Sequence, residues 1–247
     1  MQRVEQIMGM PIVLDVRDAN TDDAALEAVF SWLRDVDARF STYRDDSAIS
    51  RLNRGELLLE DAHPDVREVL ARCDELRQVT RGYFDASYDG SGQIDPSGLV
   101  KGWAVDRGAA LLDAAGVRNY ALNAGGDIRL RGGALPDEHW SIGIEHPLLA
   151  QEIAAVLEVS DTSVATSGTY IRGEHVLDPH SRQPPRGVLS VTVVGPVLAT
   201  ADAYATAAFA MGEAGPEWTL GLDGYEAMTI LADNRVLSTP AFPHAPE

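Results

Sequence analysis

Hydrophobic residues recur at spacings of three and four in two early segments, a pattern that predicts helices with one buried face. In the first segment these residues are Leu26, Val29, Leu33, Val36 and Phe40. In the second, which Pro64 opens, they are Val66, Val69, Leu70, Cys73 and Leu76. Asn20 or Thr21 is expected to cap the first helix. A short helix over residues 48–53 is expected between the two.

Strands are predicted where hydrophobic and polar residues alternate, or where short apolar runs lie between turn residues. The expected strands cover residues 10–16, 140–144, 153–159, 163–167, 169–172, 175–177, 188–194, 228–231 and 235–237. An Ala-rich stretch over residues 200–211 predicts a further helix. This mixture indicates an α+β or α/β fold. Without a long linker, residues 1–247 should form a single domain or two closely packed lobes, with residues 240–247 as a loose tail.

The central stretch, Asp95 to Asp127, reads DPSGLVKGWAVDRGAALLDAAGVRNYALNAGGD. It predicts a Gly-bearing turn, a helix over residues 99–115, a short strand and a Gly-Gly turn. Within the helix, Trp103, Ala110 and Leu111 are expected to share a buried face. Turns of this kind direct backbone N–H groups at ligands, and a helix N-terminus favours anions. An ordinary βαβ-like connection explains the same residues, so both interpretations stay open here.

Composition excludes several classes of partner. The 247 residues include 38 acidic and 20 basic ones, a formal net charge of −18, and 45% are hydrophobic. Such a charge argues against binding to nucleic acid or an anionic membrane, which needs a basic surface. Cys73 is the single cysteine, which rules out an internal disulfide and suggests a core residue. Without an apolar run long enough to span a membrane, or a signal segment, a cytoplasmic location is expected unless a leader was removed.

Asp202 and Thr206 lie four residues apart in the Ala-rich helix, so their side chains project from the same face. Burying a carboxylate is costly unless it is paired or bound to a cation. Carboxylate and hydroxyl oxygens suit a hard cation such as Mg²⁺. The alternative is that Asp202 simply favours the N-terminal part of its helix.

The motif DPSGLVKGWAVD followed by NAGGD closely resembles the signature of the ApbE-like FAD:protein FMN transferases. Matching segments flank it in the family's order, from Met8 to Gly212: FSTYRDDSAISRLN, TRGYFD, TSGTYIRGEHVLDP and ATADAYATAAFAMG. The resemblance implies a T-fold-like α+β architecture, with mixed sheets, flanking helices and the ligand site between two lobes.

The resemblance also implies roles for individual residues. Those implied for Mg²⁺ are Asp202, Thr206 and the main-chain oxygen of Gly98. Those implied to line or hold FAD are Met8, Tyr43, Tyr83, Phe84, Asp85, Asp95, Lys101 and Val176. His175 is the implied general base, and histidine is suited to proton transfer near neutral pH.

Some of these residues have simpler explanations, because most lysines are solvated and an aromatic residue beside a helix end, such as Tyr43, is often core. Asp178, before a proline, is expected to form a turn. Arg182 replaces a glycine common in the family, so the turn there is expected to be built differently.

The sequence therefore predicts a Mg²⁺-dependent FAD:protein FMN transferase. FAD is the expected donor, AMP the leaving group, and a Ser or Thr hydroxyl of a partner flavoprotein the acceptor. Two alternatives remain open: a pyrophosphatase that cleaves FAD to FMN and AMP, and a non-catalytic FAD-binding protein.

Overall fold

A computed structural model describes residues 1–87, 90–135, 138–149, 151–168 and 176–245. The strands are β1 Gln2–Ile7, β2 Met10–Val16, β3 Tyr120–Ala124, β4 Asp127–Arg131, β5 Trp140–Glu145, β6 Ile153–Val159, β7 Ser163–Gly168, β8 Val188–Gly195, β9 Glu226–Leu231 and β10 Val236–Ser238. The α-helices are α1 Asp23–Phe40, α2 Ala48–Asn53, α3 Pro64–Val79, α4 Ser97–Ala114, α5 Leu198–Ala210 and α6 Gly215–Thr219.

The predicted α+β class is confirmed by two sheets and their flanking helices. The larger sheet has eight strands in the order β1-β2-β3-β4-β7-β8-β9-β10, and β5 pairs with β6 in a second sheet. The resemblance implied mixed sheets, whereas the pairs between described strands are all antiparallel. The element before α4 is the helix α3 and not a strand, so α4 does not form the βαβ-like connection that the sequence left open.

The eight-stranded sheet separates two hydrophobic clusters, because successive side chains of a strand point to opposite faces. The main core lies on the face that packs against α4 and α5, and Leu122, Val191 and Ala205 belong to it. The second core lies on the other face, against β5 and β6. Its buried members are Leu130, Trp140, Ile144, Leu157, Val159, Val164, Val194, Met228, Ile230 and Phe242.

The early helices follow the hydrophobic pattern closely. In α1, all of the predicted residues are buried, together with Phe30. Its cap is Asp22, whose Oδ1 accepts from the Ala24 N–H at 2.9 Å, so the predicted caps Asn20 and Thr21 are wrong. Several residues of this stretch can cap a helix, and the pattern of buried positions does not choose between them.

Three further expectations need correction. Strand β1 was not predicted, because most of its residues are polar and only Ile7 is buried. In α4, Trp103 is buried as expected, but Ala110 is exposed and Leu111 is 39% exposed. The buried residues of α4 instead combine large apolar side chains such as Leu99 and Leu112 with Gly102, which meets α5. Of the strands expected over residues 169–172 and 175–177, residues 169–175 lie outside the described part of the chain, and Val176 and Leu177 are described but are not in a strand.

Residues 240–247 were expected to form a loose tail, but the described part of this segment, residues 240–245, packs against the protein. Phe242 is buried in the second core, and its ring contacts that of His244 at 5.0 Å between centroids. The Ala245 N–H donates to the Val156 oxygen at 2.8 Å, and His244 forms an isolated antiparallel bridge with Leu157 of β6. Among the described helices, none is long and apolar enough to cross a membrane.

Arg182 occupies a position where glycine is common in the family, and the turn there was expected to be built differently. Instead, Arg182 itself adopts the left-handed conformation that favours glycine, with φ of 57°. Asp178 forms the turn as predicted: its oxygens accept from the His180 N–H at 2.9 Å and the Ser181 hydroxyl at 2.7 Å. The local strain of a non-glycine residue at positive φ is therefore carried by a well-bonded loop.

Candidate functional site

Helices α4 and α5 pack with almost no space between their backbones. A Cβ atom at Gly102 would lie 2.7 Å from the Ala199 Cα, so only glycine permits this approach. The neighbouring residues of α5 are mostly alanine, whose small side chains extend the close contact. Charged side chains on the facing surfaces are therefore brought close together inside the protein.

Three charged residues meet at this contact, and we call Lys101, Asp127 and Asp202 the buried charge cluster. Lys101 comes from the first turns of α4, Asp127 begins β4 directly after the Gly125–Gly126 turn, and Asp202 comes from α5. The Lys101 ammonium forms an ion pair with Asp127 Oδ2 and lies 3.7 Å from Asp202 Oδ1. The side chains of the two acids are 2% and 5% exposed.

The two carboxylates are satisfied to different degrees. Asp127 Oδ1 accepts from the Thr166 N–H at 3.1 Å, whereas its buried Oδ2 has no hydrogen-bond partner among the described residues but forms the ion pair with Lys101. Asp202 Oδ2 is buried and has no hydrogen-bond partner among the described residues. With both acids ionised, the cluster carries two negative charges against one positive charge. A buried carboxylate oxygen left in this state is costly, and an added cation would relieve the cost.

The pKa of Asp202 is raised from its ordinary value of 3.8 to about 8, mainly by burial and in part by the negative charge of Asp127. The Lys101 ammonium and the Gly102 backbone oppose this rise. A carboxyl group this reluctant to ionise near neutral pH is typical of functional sites, although structural ion pairs also perturb pKa values. A bound divalent cation would favour the ionised form.

The residues present fit a hard cation. The orphaned oxygen of Asp202 supplies an anionic ligand atom, and the Thr206 side chain projects from the same face of α5 one turn later. Thr206 Oγ1 lies 3.2 Å from Ser167 Oγ, so the two hydroxyls are hydrogen-bonded. The described residues include no group of three or more His, Cys, Asp or Glu residues arranged around a metal position. The set implied by the family needs no such group, because it contains one carboxylate, one hydroxyl and one main-chain oxygen.

The predicted FAD-binding turns lie at the entrance of α4. The Asp95 N–H donates to the Ala86 oxygen at 2.7 Å, which ties the DPSG turn to the TRGYFD segment. Asp95 Oδ1 accepts from the Ser97 N–H at 3.0 Å and from its hydroxyl at 2.6 Å, so it stabilises the start of the helix. A Cβ at Gly98 would lie 3.3 Å from the Phe84 ring. These segments therefore form one surface, one helical turn before Lys101.

The residues of the TRGYFD segment have different environments. Phe84 is buried, and its N–H donates to the Thr80 hydroxyl at 2.9 Å. Asp85 accepts from Arg77 Nε at 3.1 Å. The Tyr83 ring meets the His180 ring edge-on, with centroids 4.6 Å apart. This contact brings the loop after the HVLDP motif against the same surface.

The remaining predicted residues are less closely connected. His175, the implied general base, lies outside the described residues. Val176 and Met8 are half-buried against the main core, and Met8 lies in the β1–β2 turn with φ of 54°. Tyr43 is 98% exposed, so it is not the core aromatic that its position beside a helix end suggested.

Sequence reasoning assigned no role to Asp127, although the structure makes it a member of the buried charge cluster. The available signal was the NAGGD turn, which presents an acid directly after two glycines. Gly125 and Gly126 have φ of 59° and 102°, and the Gly126 N–H donates to Asn123 Oδ1 at 2.9 Å. The turn thus fixes where Asp127 enters β4. Only the three-dimensional contact with α4 and α5 reveals why an acid stands there.

Known proteins resemble this chain over most of its length. The sequence model of the ApbE family matches residues 8–91 and 89–229. A FAD:protein FMN transferase of Haemophilus influenzae is 27% identical over 256 aligned residues, covering 78% of this chain and 74% of the relative. Another, of Treponema pallidum, is 28% identical, with 91% of this chain and 82% of the relative covered.

Solved structures agree in fold. The flavin transferase ApbE from Vibrio cholerae superposes with a TM-score of 0.86 at 24% sequence identity, covering 98% of this chain and 97% of that one. The ApbE protein of Thermotoga maritima reaches the same TM-score of 0.86 at 21% identity. At these identities the likeness establishes the fold, and residue roles need support from the chain's own geometry.

Proposed function

The chain belongs to the ApbE family of flavin transferases, and from this premise we propose that it transfers FMN from FAD to a Ser or Thr hydroxyl of a partner flavoprotein. The observation that carries the proposal is the buried charge cluster, in which Asp202 Oδ2 has no hydrogen-bond partner among the described residues. A site that only bound a flavin ring would not need two buried acids beside a single lysine. A site that handles a pyrophosphate and a cation would.

We propose Mg²⁺ as the cation, held by Asp202, Thr206 and the main-chain oxygen of Gly98. When bound, Mg²⁺ neutralises charge on the phosphate oxygens of FAD. The protein's own contribution is to hold these ligand atoms on α4 and α5, whose backbones meet at Gly102. Asp127 and Lys101 complete the local charge balance. This arrangement would fix the diphosphate of FAD beside the N-terminal end of α4.

The proposed reaction breaks one bond and forms one. The acceptor oxygen attacks the phosphorus atom of the FMN half of FAD, and the P–O bond to the AMP half breaks. AMP leaves with the bonding electron pair, and the hydroxyl proton is transferred to a base. The products are AMP and FMN joined to the acceptor by a phosphoester, so no oxidant or reductant is required.

His175 is the proposed base, on the strength of its place in the HVLDP motif. The described part of the same loop supports the assignment indirectly, because His180 contacts Tyr83 on the surface formed by the predicted FAD-binding turns. A positioned general base contributes about 10²–10⁴-fold in rate. Replacing His175 with Ala is therefore expected to slow transfer by that factor while FAD affinity, measured by fluorescence titration, stays nearly unchanged.

The test of the proposed function is a gel assay. The purified protein is mixed with FAD, MgCl₂ and an acceptor protein that an ApbE relative modifies, prepared without its flavin. The acceptor band on a denaturing gel is then examined for flavin fluorescence. Transfer predicts a fluorescent band, with AMP released in equal amount. An acceptor whose modified Ser or Thr is replaced by Ala is the matched control and should stay dark.

Other outcomes would replace the proposal. Free FMN and AMP without a fluorescent acceptor band would indicate a pyrophosphatase that uses water in place of the acceptor hydroxyl. A stable yellow complex, with neither AMP nor labelled acceptor, would indicate an FAD-binding protein without turnover.

A further inference from the structure

The N-terminus of α5 has no cap of its own. The first backbone N–H groups of any helix lack intrahelical partners, and a Ser, Thr, Asp or Asn side chain at the N-cap usually satisfies one of them. In α5 the N-cap is Val197, which cannot accept a hydrogen bond through its side chain, and no acid lies in the first turn. This helix carries Asp202, so its position matters for the buried charge cluster.

The missing cap is supplied by another helix. Asp106 of α4 directs both carboxylate oxygens at the start of α5: Oδ1 accepts from the Leu198 N–H at 3.2 Å and Oδ2 from the Ala199 N–H at 2.9 Å. A carboxylate in this place also interacts favourably with the positive end of the helix dipole. Two bonds from one rigid group fix both the distance and the direction of α5 relative to α4.

The same residue of α5 makes the closest backbone contact. Ala199, whose N–H donates to Asp106, also has its Cα only 2.7 Å from the position that a Cβ on Gly102 would occupy. Glycine sets how closely the helices approach, and Asp106 sets which residues stand opposite each other. Lys101 adjoins Gly102 in the sequence, and Asp202 follows Ala199 by about one turn. The separation of Lys101 Nζ from Asp202 Oδ1 therefore depends on this register.

We propose that Asp106 is a positioning residue: by capping α5 from α4 it holds Asp202 in register with Lys101, and so in the geometry that transfer requires. Its effect on activity rests on the proposed function, whereas its effect on the helix register does not. The role differs from ordinary capping, since a cap within α5 would stabilise the helix end without connecting it to α4.

The experiment compares a cap that connects α5 to α4 with a cap that lies within α5. Asp106→Ala removes the connection together with the cap. Adding Val197→Ser restores a cap from within α5, because an N-cap Ser accepts from the second or third N–H of its own helix. Val197 is 43% exposed and has the extended backbone that an N-cap needs, so the new side chain can be accommodated. Val197→Ser alone is the matched control and should leave transfer unchanged, because a neutral cap does not repel the Asp106 carboxylate.

Melting temperature and transfer kinetics are then expected to separate. Asp106→Ala should lower the melting temperature by a few degrees, as loss of a cap does in a protein of this size. The double variant should recover most of that loss. Its kcat should nevertheless stay about 10–100-fold below that of the wild type, because small misplacements of reacting groups cost this much. The KM for FAD should change by less than about threefold.

Recovery of both melting temperature and kcat in the double variant would overturn the proposal and leave Asp106 as a simple cap. A crystal structure of the double variant decides the register even if the wild type transfers no FMN. The proposal predicts that the Lys101 Nζ–Asp202 Oδ1 distance increases from 3.7 Å. An unchanged distance would contradict it independently of any activity.

Discussion

The two faces of the eight-stranded sheet bury their side chains in contrasting ways. The second core is built from large apolar residues of β5, β6 and their neighbours, together with Phe242 of the C-terminal segment. The main core is larger, yet within the described residues it is also the side on which the buried carboxylates, Asp127 and Asp202, are found. One face follows the usual rule for interiors, and the other departs from it at one place.

The contrast indicates that the second core serves folding, whereas the buried acids of the main core serve binding. Replacing a buried ion pair by apolar residues is often neutral or stabilising, so buried charge is weak evidence for a role in stability. The second core demonstrates that this fold can cover a sheet face without buried acids. The acids of the main core are therefore better explained by binding than by folding, and variants of the two faces should behave differently.

The largest expected effect on stability comes from Lys101. Changing it to Met leaves two buried acids without their cation, and breaking a buried pair costs about 3–5 kcal/mol in the free energy of unfolding. Chemical denaturation in metal-free buffer measures this. The matched control is Arg107→Met on the same helix, because Arg107 pairs with Glu68 at the surface, and exposed pairs contribute about 0–1 kcal/mol. Equal losses in the two variants would contradict the contrast.

A change in the second core should cost a similar amount of stability and no activity. Phe242→Ala removes a buried ring, for which about 3–5 kcal/mol is typical, and its place near the chain end favours the lower value. FMN transfer per folded molecule, assayed well below the melting temperature, is expected to match that of the wild type. A loss of activity in this variant would show that the second core also supports the site.

A pH dependence of stability is expected for the main core and not for the second core. The pKa of Asp202 is raised by burial from 3.8 to about 8, so the folded state holds the proton more tightly than the unfolded state does. Between these two pKa values the carboxyl group is ionised in the unfolded state and protonated in the folded state. The free energy of unfolding therefore falls as pH rises through this range, and it does not change below it. In metal-free buffer, Asp202→Asn should gain stability relative to the wild type as pH rises from 4 to 8. A constant difference in melting temperature over this range would contradict it.

Most of the fold could be predicted because it rests on repeated patterns. The buried face of α1, the bounds of α2 and the alternation in β2 follow from residue spacing alone. The prediction failed for β1, a mostly polar strand that forms because β2 offers it a partner. It also failed for part of the buried face of α4, because Ala110 and Leu111 are exposed while Gly102 is buried in a close contact with α5.

The candidate site was accessible from the sequence only in part. Asp202 and Lys101 stood out through the motifs that contain them, and the structure brings them within 3.7 Å of each other. Asp127 and Asp106 lie in the same motifs, but their partners are distant in sequence: the Thr166 N–H for one, the α5 N-terminus for the other. Such contacts depend on tertiary packing, which local spacing does not encode.

The central claim is that Asp202 is buried because it binds a cation needed for transfer. Asp202→Asn tests it most directly, since the change keeps the shape and removes the charge. The account predicts a variant at least as stable as the wild type in EDTA. It should transfer no measurable FMN at ordinary MgCl₂ concentration, and it should lose the rise in melting temperature that MgCl₂ and FAD give the wild type. A variant that still transfers FMN and still gains thermal stability from MgCl₂ would contradict the claim.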